Sequence, residues 1–220
     1  MSVKDFVQQR RDDFIALRRD FHMYPEPAWL EYRSAAKVAE KLIALGYDVA
    51  LGAEVLDLDS RMGLPSEDVM KAAMARAMDE GADPELVEKM GYGKTAIVAT
   101  MKFSDDGPVV AFRADMDSND VIESKASNHI PAKNGFRSRH EKAMHACGHD
   151  THMTMGLGLA EYIATHKDGL KGTIKMIFQP AEEGVRGAKA MVEAGVVDDV
   201  DLMFGMHIGF NEQLSNCFAC

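Results

Sequence analysis

Four short groups of polar residues carry side chains that could do chemistry together. They are Arg113-Ala-Asp115-Met-Asp117, His145-Ala-Cys147-Gly-His149-Asp150, Glu182-Glu183 and His207. Thiolate, imidazole and carboxylate are the common protein ligands of zinc, and imidazole with carboxylate also suits manganese. Gly148 lets the backbone turn so that the side chains on either side of it face one ion. Of two adjacent glutamates, one can bind metal while its neighbour moves protons. Together the four groups predict a metallohydrolase site.

Three of these groups directly follow a segment with the composition of a β-strand. The predicted strands are residues 95–102 (TAIVATMK), 108–113 (PVVAFR), 173–178 (TIKMIF) and 201–206 (DLMFGM). Helices predicted over residues 151–166 and 187–193 alternate with the later strands, which indicates an α/β domain with a mostly parallel sheet. Ligands of open α/β sheets bind outside the carboxyl ends of the strands. We therefore expect the polar groups to converge on one crevice.

The first half of the chain has no comparable chemistry. Apolar spacing predicts helices over residues 3–21 and 31–45, the second capped by Gly46, and then a short strand over residues 47–51. Residues 52–93 are rich in Met, Ala, Asp and Glu and contain two helix-start signals, Ser66-Glu67-Asp68 and Asp83-Pro84. This segment is interpreted as a helical insertion. Residues 118–144 are expected to form a polar loop.

Composition excludes several classes of protein. With 25 Lys and Arg against 35 Asp and Glu, the formal net charge is −10, which argues against nucleic acid as a partner. No apolar run approaches the length of a membrane helix, so no membrane partner is expected. The charged start, MSVKDFVQQRRDDF, does not resemble a signal peptide, and three cysteines do not make a disulfide framework. These features favour a cytoplasmic location.

Each polar group also has an ordinary interpretation when it is taken alone. A single loop cysteine is usually a small buried hydrophobe, and His145, His152 and His207 singly would be surface or core histidines. His22 with Glu26 and Glu31 is interpreted as orienting a loop rather than binding metal. Cys217 and Cys220 form a C-x-x-C pair, but with no second pair a structural zinc or redox role is disfavoured. The metal hypothesis depends on the groups acting jointly.

Four longer segments resemble the ordered motifs of the M20 metallopeptidase and amidohydrolase family. They are RRDFHMYPEPAWLEYRSA, AFRADMDS, MHACGHDTHMTMGLGLA and FQPAEEGVRGAKAMVEAGVVDDVD. They fit its branch of aminoacylase-like, hippurate and indoleacetyl-amino-acid hydrolases. The insertion LGAEVLDLDSRMGLPSEDV resembles the subgroup that hydrolyses p-aminobenzoyl-glutamate. The resemblance covers nearly the whole chain from Arg18 to His207.

The resemblance implies a three-layer, metallo-exopeptidase-like catalytic domain that binds two divalent ions, Mn or Zn. The expected activity is hydrolysis of the amide bond of N-acyl or N-aroyl amino acids, with p-aminobenzoyl-glutamate as the best candidate substrate. A homodimer, or a hetero-oligomer with a related subunit, is the expected assembly. By matching motifs, Glu182 is the general base and Asp117 supports the site. The implied ligands are Cys147, His149, Glu183 and His207, with Asp115, His145 and Asp150 as supporting residues.

Two departures from the family pattern qualify these expectations. Ser118-Asn119-Asp120 follows Asp117 where the family usually reads Ala-Leu-Pro, so the family pattern does not define the shape of this loop. Family members are about twice this size, with a lid and dimerisation domain and a further histidine ligand near their C-terminus. The chain is therefore expected to be the N-terminal part of the catalytic domain, with little or no turnover alone. A hippurate or N-acyl-amino-acid hydrolase, and a non-catalytic subunit or inactive truncated fragment, remain alternatives.

Overall fold

A five-stranded sheet organises the chain in a computed structural model that describes residues 1–209. The Cys217/Cys220 pair lies outside the described residues. The strands are β1 (Asp48–Leu51), β2 (Ile97–Lys102), β3 (Val109–Asp115), β4 (Thr173–Gln179) and β5 (Leu202–Gly205). Their order is β1-β2-β4-β3-β5, and β2 is antiparallel to both neighbours whereas β3 is parallel to both of its own. Four strands therefore run one way and β2 is reversed, in agreement with the predicted α/β class and mostly parallel sheet.

The helices match the sequence expectations except at some boundaries. They are α1 (Val3–Gln9), α2 (Arg11–Met23), α3 (Tyr32–Ala44), α4 (Glu67–Asp79), α5 (Pro84–Lys89), α6 (Ile130–Lys133), α7 (His149–Thr165) and α8 (Gly187–Glu193). The single helix predicted over residues 3–21 is two helices that meet at Arg10. A short helix, α6, interrupts the loop expected over residues 118–144, and α4 and α5 lie within the segment 52–93.

Helices and loops cover both faces of the sheet, so the domain has three layers. Alternate residues of the strands point to opposite faces. Phe178 and Met176 pack in a core with α2, α3 and α7, and Ile177 packs in a second core with α8 and Trp29. None of the helices in residues 1–209 combines the length and the apolar composition of a membrane span.

Strand register brings the polar groups to one edge of the sheet. Asp115 is paired with Gln179 at the carboxyl ends of β3 and β4, so the chain leaves both strands side by side. On the other side of β3, Gly205 of β5 is paired with Arg113. Because the three parallel strands end together, Asp117, the Glu182-Glu183 pair and His207 follow them at the same edge. Helix α7 packs against β3 and begins at this edge with His149.

Candidate metal centre

Asp117 fixes the backbone of the two adjacent glutamates. Its Oδ1 accepts a hydrogen bond from the backbone N–H of Glu182, and its Oδ2 accepts one from that of Glu183, each at 2.9 Å. Asp117 is buried, whereas the two glutamate side chains are about one-third exposed. The loops after β3 and β4 are therefore joined by a charge-assisted contact that aims both glutamates at the crevice.

Gly148 separates the two candidate ligands of the next loop. Its φ of +89° is in the left-handed region, and the chain enters α7 directly after it. This turn starts α7 at His149, two residues earlier than the sequence predicted. Cys147 is half-buried and His149 is fully buried. The sulfur of Cys147 lies 3.3 Å from Nε2 of His207.

The structure places donor atoms close enough to hold an ion in two overlapping groups. Cys147, His149 and Glu183 form one group, and the second contains Asp115, His149, His152 and His207. Within each group all ligand atoms lie within 4.8 Å of one another. Glu182 is not in either group, but its Oε2 lies 3.7 Å from Nε2 of His149. Oε1 of Glu183 lies 3.9 Å from the same nitrogen. The four ligands and the base expected from sequence are thus brought together.

Unsatisfied buried atoms indicate that a cation belongs at this position. Both ring nitrogens of His149 and Oε1 of Glu183 are buried, and no described residue gives them a hydrogen bond. Oδ1 of Asp117 lies 3.4 Å from Nδ1 of His149, without hydrogen-bond geometry. Leaving a buried polar atom unpaired costs about 1–3 kcal/mol. A divalent ion held by sulfur, nitrogen and carboxylate oxygen would satisfy these atoms, so the donor set fits zinc or manganese.

The electrostatics of the site give the same indication. Burial lowers the pKa of His149, but the carboxylates of Asp117 and Asp115 outweigh it and the net shift is upward. Burial, and then the carboxylate of Glu183, raise the pKa of the Cys147 thiol to about 11. Thiolate ligation in this acidic surrounding therefore needs added positive charge, which a divalent ion supplies.

His152 takes part in the site, although its sequence context suggested only a core or surface histidine. Its Nδ1 lies 2.5 Å from Oδ1 of Asp115, and its Nε2 accepts a hydrogen bond from the backbone N–H of Ile208 at 3.0 Å. The signal that could have identified it is its spacing, because residues three apart on a helix share a face and His152 follows His149 by three. His152 therefore connects β3, α7 and the segment after β5.

His145 and Asp150 lie outside both groups of donor atoms found in residues 1–209. His145 is buried, burial lowers its pKa to about 4, and neither ring nitrogen has a hydrogen-bond partner among the described residues. Asp150 instead faces α2, where its Oδ2 lies 2.7 Å from Nδ1 of His22 and 3.0 Å from Nε of Arg18. Nε2 of His22 lies 3.0 Å from Oε1 of buried Glu123. His22 thus links the start of α7 to the polar loop.

Glu26 and Glu31 both bind backbone N–H groups, Glu26 at the start of α3 and Glu31 in the loop after β4. The carboxylate of Glu26 accepts the backbone N–H groups at the start of α3, those of Arg33 and Ser34. The carboxylate of Glu31 accepts the backbone N–H of Ala181 at 2.8 Å and the hydroxyl of Thr95 at 2.6 Å. Burial, and then the Asp117 carboxylate, raise the pKa of Glu31 to about 8. Glu31 therefore fixes the turn that presents Glu182.

Two relatives are about 50% identical to this chain over nearly the whole length of this chain. One is a component of the p-aminobenzoyl-glutamate hydrolase of Escherichia coli K12, and it is 49% identical over 208 residues, which are 94% of this chain and 48% of the relative. The indole-3-acetyl-aspartic acid hydrolase of Enterobacter agglomerans is 48% identical over 207 residues, again 94% of this chain and 48% of the relative. The chain spans about half the length of these relatives.

Solved structures and the family comparison agree with these matches. The aminobenzoyl-glutamate utilization protein of Klebsiella pneumoniae superposes with a TM-score of 0.81 and 40% identity, over 96% of this chain and 47% of that one. The YXEP protein of Bacillus subtilis, described as a dinuclear metal-binding peptidase, gives a TM-score of 0.66 and 28% identity, over 94% of this chain and 45% of that one. Residues 111–219 match the sequence pattern of peptidase family M20/M25/M40. With its fold, its donor groups and these relatives, the chain belongs to peptidase family M20/M25/M40.

Proposed function

We propose that the whole protein is a metal-dependent amidohydrolase that cleaves N-aroyl or N-acyl derivatives of acidic amino acids. The best candidate substrate is p-aminobenzoyl-glutamate, which would give p-aminobenzoate and glutamate. One observation carries the proposal: Cys147, His149 and Glu183 form a compact donor group, and the partly exposed carboxylate of Glu182 lies beside it. The names of the two relatives support acidic amino-acid products with two different acyl groups.

The residues of the chain can divide the reaction between them. A divalent ion, when bound, would lower the pKa of a water molecule and polarise the amide carbonyl. Glu182 would take the proton of the attacking water and return it to the nitrogen of the leaving amino acid. The backbone at this base is held by two carboxylates, because the N–H of Glu182 bonds to Asp117 and the N–H of Ala181 bonds to Glu31. Two ions, Mn or Zn, are proposed because Asp115 and His207 supply donor atoms beyond those of Cys147, His149 and Glu183, and because the Bacillus relative is described as dinuclear.

An assembly of more than one chain is also part of the proposal. The Escherichia coli relative is named as one of the subunits of its enzyme, which supports a hetero-oligomer with a related chain. A homodimer is the alternative. The molecular mass in solution, measured for the whole protein alone and together with the related chain, distinguishes the two assemblies.

The test separates metal binding from proton transfer. Glu182→Gln is expected to retain metal and to lose at least about a hundredfold in turnover of p-aminobenzoyl-glutamate by the whole protein, because a general base contributes about that much or more. Glu183→Gln is expected to lose metal and activity together. Glu193→Gln, at the exposed end of α8, is the control and should change neither.

The measurements are metal content after equilibration with zinc or manganese and desalting, and release of product from three substrates. Indole-3-acetyl-aspartate and hippurate are compared with p-aminobenzoyl-glutamate. Equal turnover of hippurate would favour the broader N-acyl-amino-acid hydrolase. Unchanged turnover in Glu182→Gln would contradict the proposal, because it would show that Glu182 is not the general base. In an enzyme assembled with a related subunit, the same result would favour a chain without its own catalytic role.

A further inference from the structure

Arg186 lies in the same turn as the two candidate active-site glutamates. The turn is tight, because the backbone N–H of Val185 bonds to the carbonyl of Glu182 at 2.7 Å and that of Arg186 bonds to the carbonyl of Ala181 at 3.1 Å. The Arg186 guanidinium folds back over Gly184. A Cβ placed on Gly184 would lie 2.9 Å from Nε of Arg186, and the φ of Gly184 is +81°, so glycine is well suited to this close approach. The positive charge therefore lies next to the backbone of Glu183.

The other side of Arg186 is covered by the insertion, in residues 57–64. A Cβ placed on Gly63 would lie 3.1 Å from Cδ and 3.3 Å from Nε of Arg186. This part of the insertion is itself fixed, because the N–H of Asp57 bonds to the carbonyl of Ala190 in α8 and the Trp29 indole bonds to the carbonyl of Met62, each at 2.8 Å. The side chain of Arg186 is thus held between two backbone segments.

Arg186 is held without being neutralised. The structure gives it no side-chain hydrogen bond and no ion pair within 4.0 Å to any residue in 1–209, and neither Glu182 nor Glu183 reaches it. The other arginine of this region, Arg61, is used differently. Its guanidinium donates to the backbone carbonyls of Leu58, Tyr92 and Gly93, which is a structural role. Arg186 is partly exposed, so its donors are open to a ligand.

We propose that Arg186, packed against residues 57–64 of the insertion (the Gly63 loop), binds the side-chain carboxylate of an acidic amino-acid substrate. The inference rests on the proposed function, because it assumes that the scissile amide lies beside Glu182. A planar guanidinium is suited to this ligand, since it can donate two parallel hydrogen bonds to one carboxylate. The insertion then has a part in specificity: its loop orients the cation that distinguishes glutamyl and aspartyl substrates from those with an uncharged side chain.

Binding to a matched pair of ligands tests the inference. N-benzoyl-glutamate and N-benzoyl-glutamine differ only in whether the side chain ends in a carboxylate or in an uncharged amide. Calorimetry on the zinc-loaded whole protein carrying Glu182→Gln measures the binding of both without consuming them. The glutamate ligand is expected to bind about tenfold more tightly, as one charge-assisted contact would give. Arg186→Gln should remove this preference, and Arg186→Lys should restore part of it. Lys189→Gln, on the exposed face of α8, is the matched control and should keep the preference.

Three results would overturn the inference: equal affinities in the parent chain, an unchanged preference in Arg186→Gln, or binding of neither ligand. Metal content and circular dichroism of each variant establish that it is folded and loaded. The proposed function has a separate readout, which is turnover by the whole protein with and without Glu182. If turnover depends on Glu182 but the preference for the glutamate ligand does not depend on Arg186, only the proposed subsite is overturned. If turnover does not depend on Glu182, the proposed function is overturned.

Discussion

The side-chain Oδ1 of Asn119 accepts a hydrogen bond from the backbone N–H of Cys147 at 3.0 Å. The backbone of Asn119 also exchanges two hydrogen bonds with that of Met144, at 3.0 and 3.1 Å. Asn119 belongs to the three residues after Asp117 that depart from the family pattern. The departure therefore does not loosen the loop. The hydrogen bonds of Asn119 join the segment that carries Cys147 to the segment that carries Asp117.

Loss of the Asn119 side chain should weaken metal binding without unfolding the chain. Asn119→Ala removes the bond that orients Cys147, and changes to residues that orient a ligand typically lower metal affinity about tenfold or more. Competition with a chromophoric chelator measures the affinity for zinc. Asp120→Ala is the control, because Asp120 is exposed and adjacent. Equal affinities in Asn119→Ala and Asp120→Ala would show that the contact does not support the site.

Gly148 is expected to be essential for bringing Cys147 and His149 together. A Cβ at this position would lie 2.2 Å from Cδ1 of Ile208, and the φ of +89° disfavours any other residue. Gly148→Ala should therefore lose metal and destabilise the chain by about 2 kcal/mol or more. Gly135→Ala is a matched control, because Gly135 also has a positive φ, of +74°, but a Cβ there meets nothing within 4 Å.

Gly135→Ala should lower the free energy of unfolding by about 1 kcal/mol, through backbone strain alone, and should keep its full metal content. Urea unfolding and elemental analysis of the two variants measure these effects. Full metal content in Gly148→Ala would mean that Ile208 moves aside and the turn tolerates a side chain.

Local patterns in the sequence were sufficient to predict the strands and the residues that follow them. Apolar runs identified β3 and β4, and the polar residues directly after them are the ones that the register brings together. The reversed direction of β2 could not be predicted, because an apolar alternating segment has no signal for direction. The break at Arg10 has no glycine or proline to mark it, so the apolar spacing predicts one continuous helix there.

Contacts between distant parts of the chain are the other feature that the sequence does not predict. Glu31 bonds to Ala181, 150 positions away, and the Gly63 loop packs on Arg186; nothing local in the sequence encodes either pairing. The sequence of residues 52–93 therefore gives no sign of a functional role, although the fold brings Gly63 against Arg186, in the turn that carries Glu182 and Glu183. Spacing alone would have sufficed only for His152, which shares a helix face with His149.

Glu31 should make the stability of the metal-free chain depend on pH. Its folded-state pKa, about 8, lies above its ordinary value of 4.5, so the folded chain holds a proton that the unfolded chain releases between these pH values. The favourable contribution of Glu31 is fully present below pH 4.5 and is lost as the pH rises toward 8. One such group changes the free energy of unfolding by at most about 1.4 kcal/mol per pH unit.

Glu31→Gln should remove this part of the pH dependence while it keeps the turn. The amide oxygen can accept the N–H of Ala181, and the amide nitrogen can donate to the hydroxyl oxygen of Thr95, so both bonds survive without a titrating group. Urea unfolding of chelator-treated protein at several pH values between 5 and 8 measures the difference. Glu40→Gln, exposed on α3, should follow the parent chain throughout. Parallel curves for the parent chain and Glu31→Gln would show that Glu31 is ionised in the folded state and that its two hydrogen bonds compensate for burial.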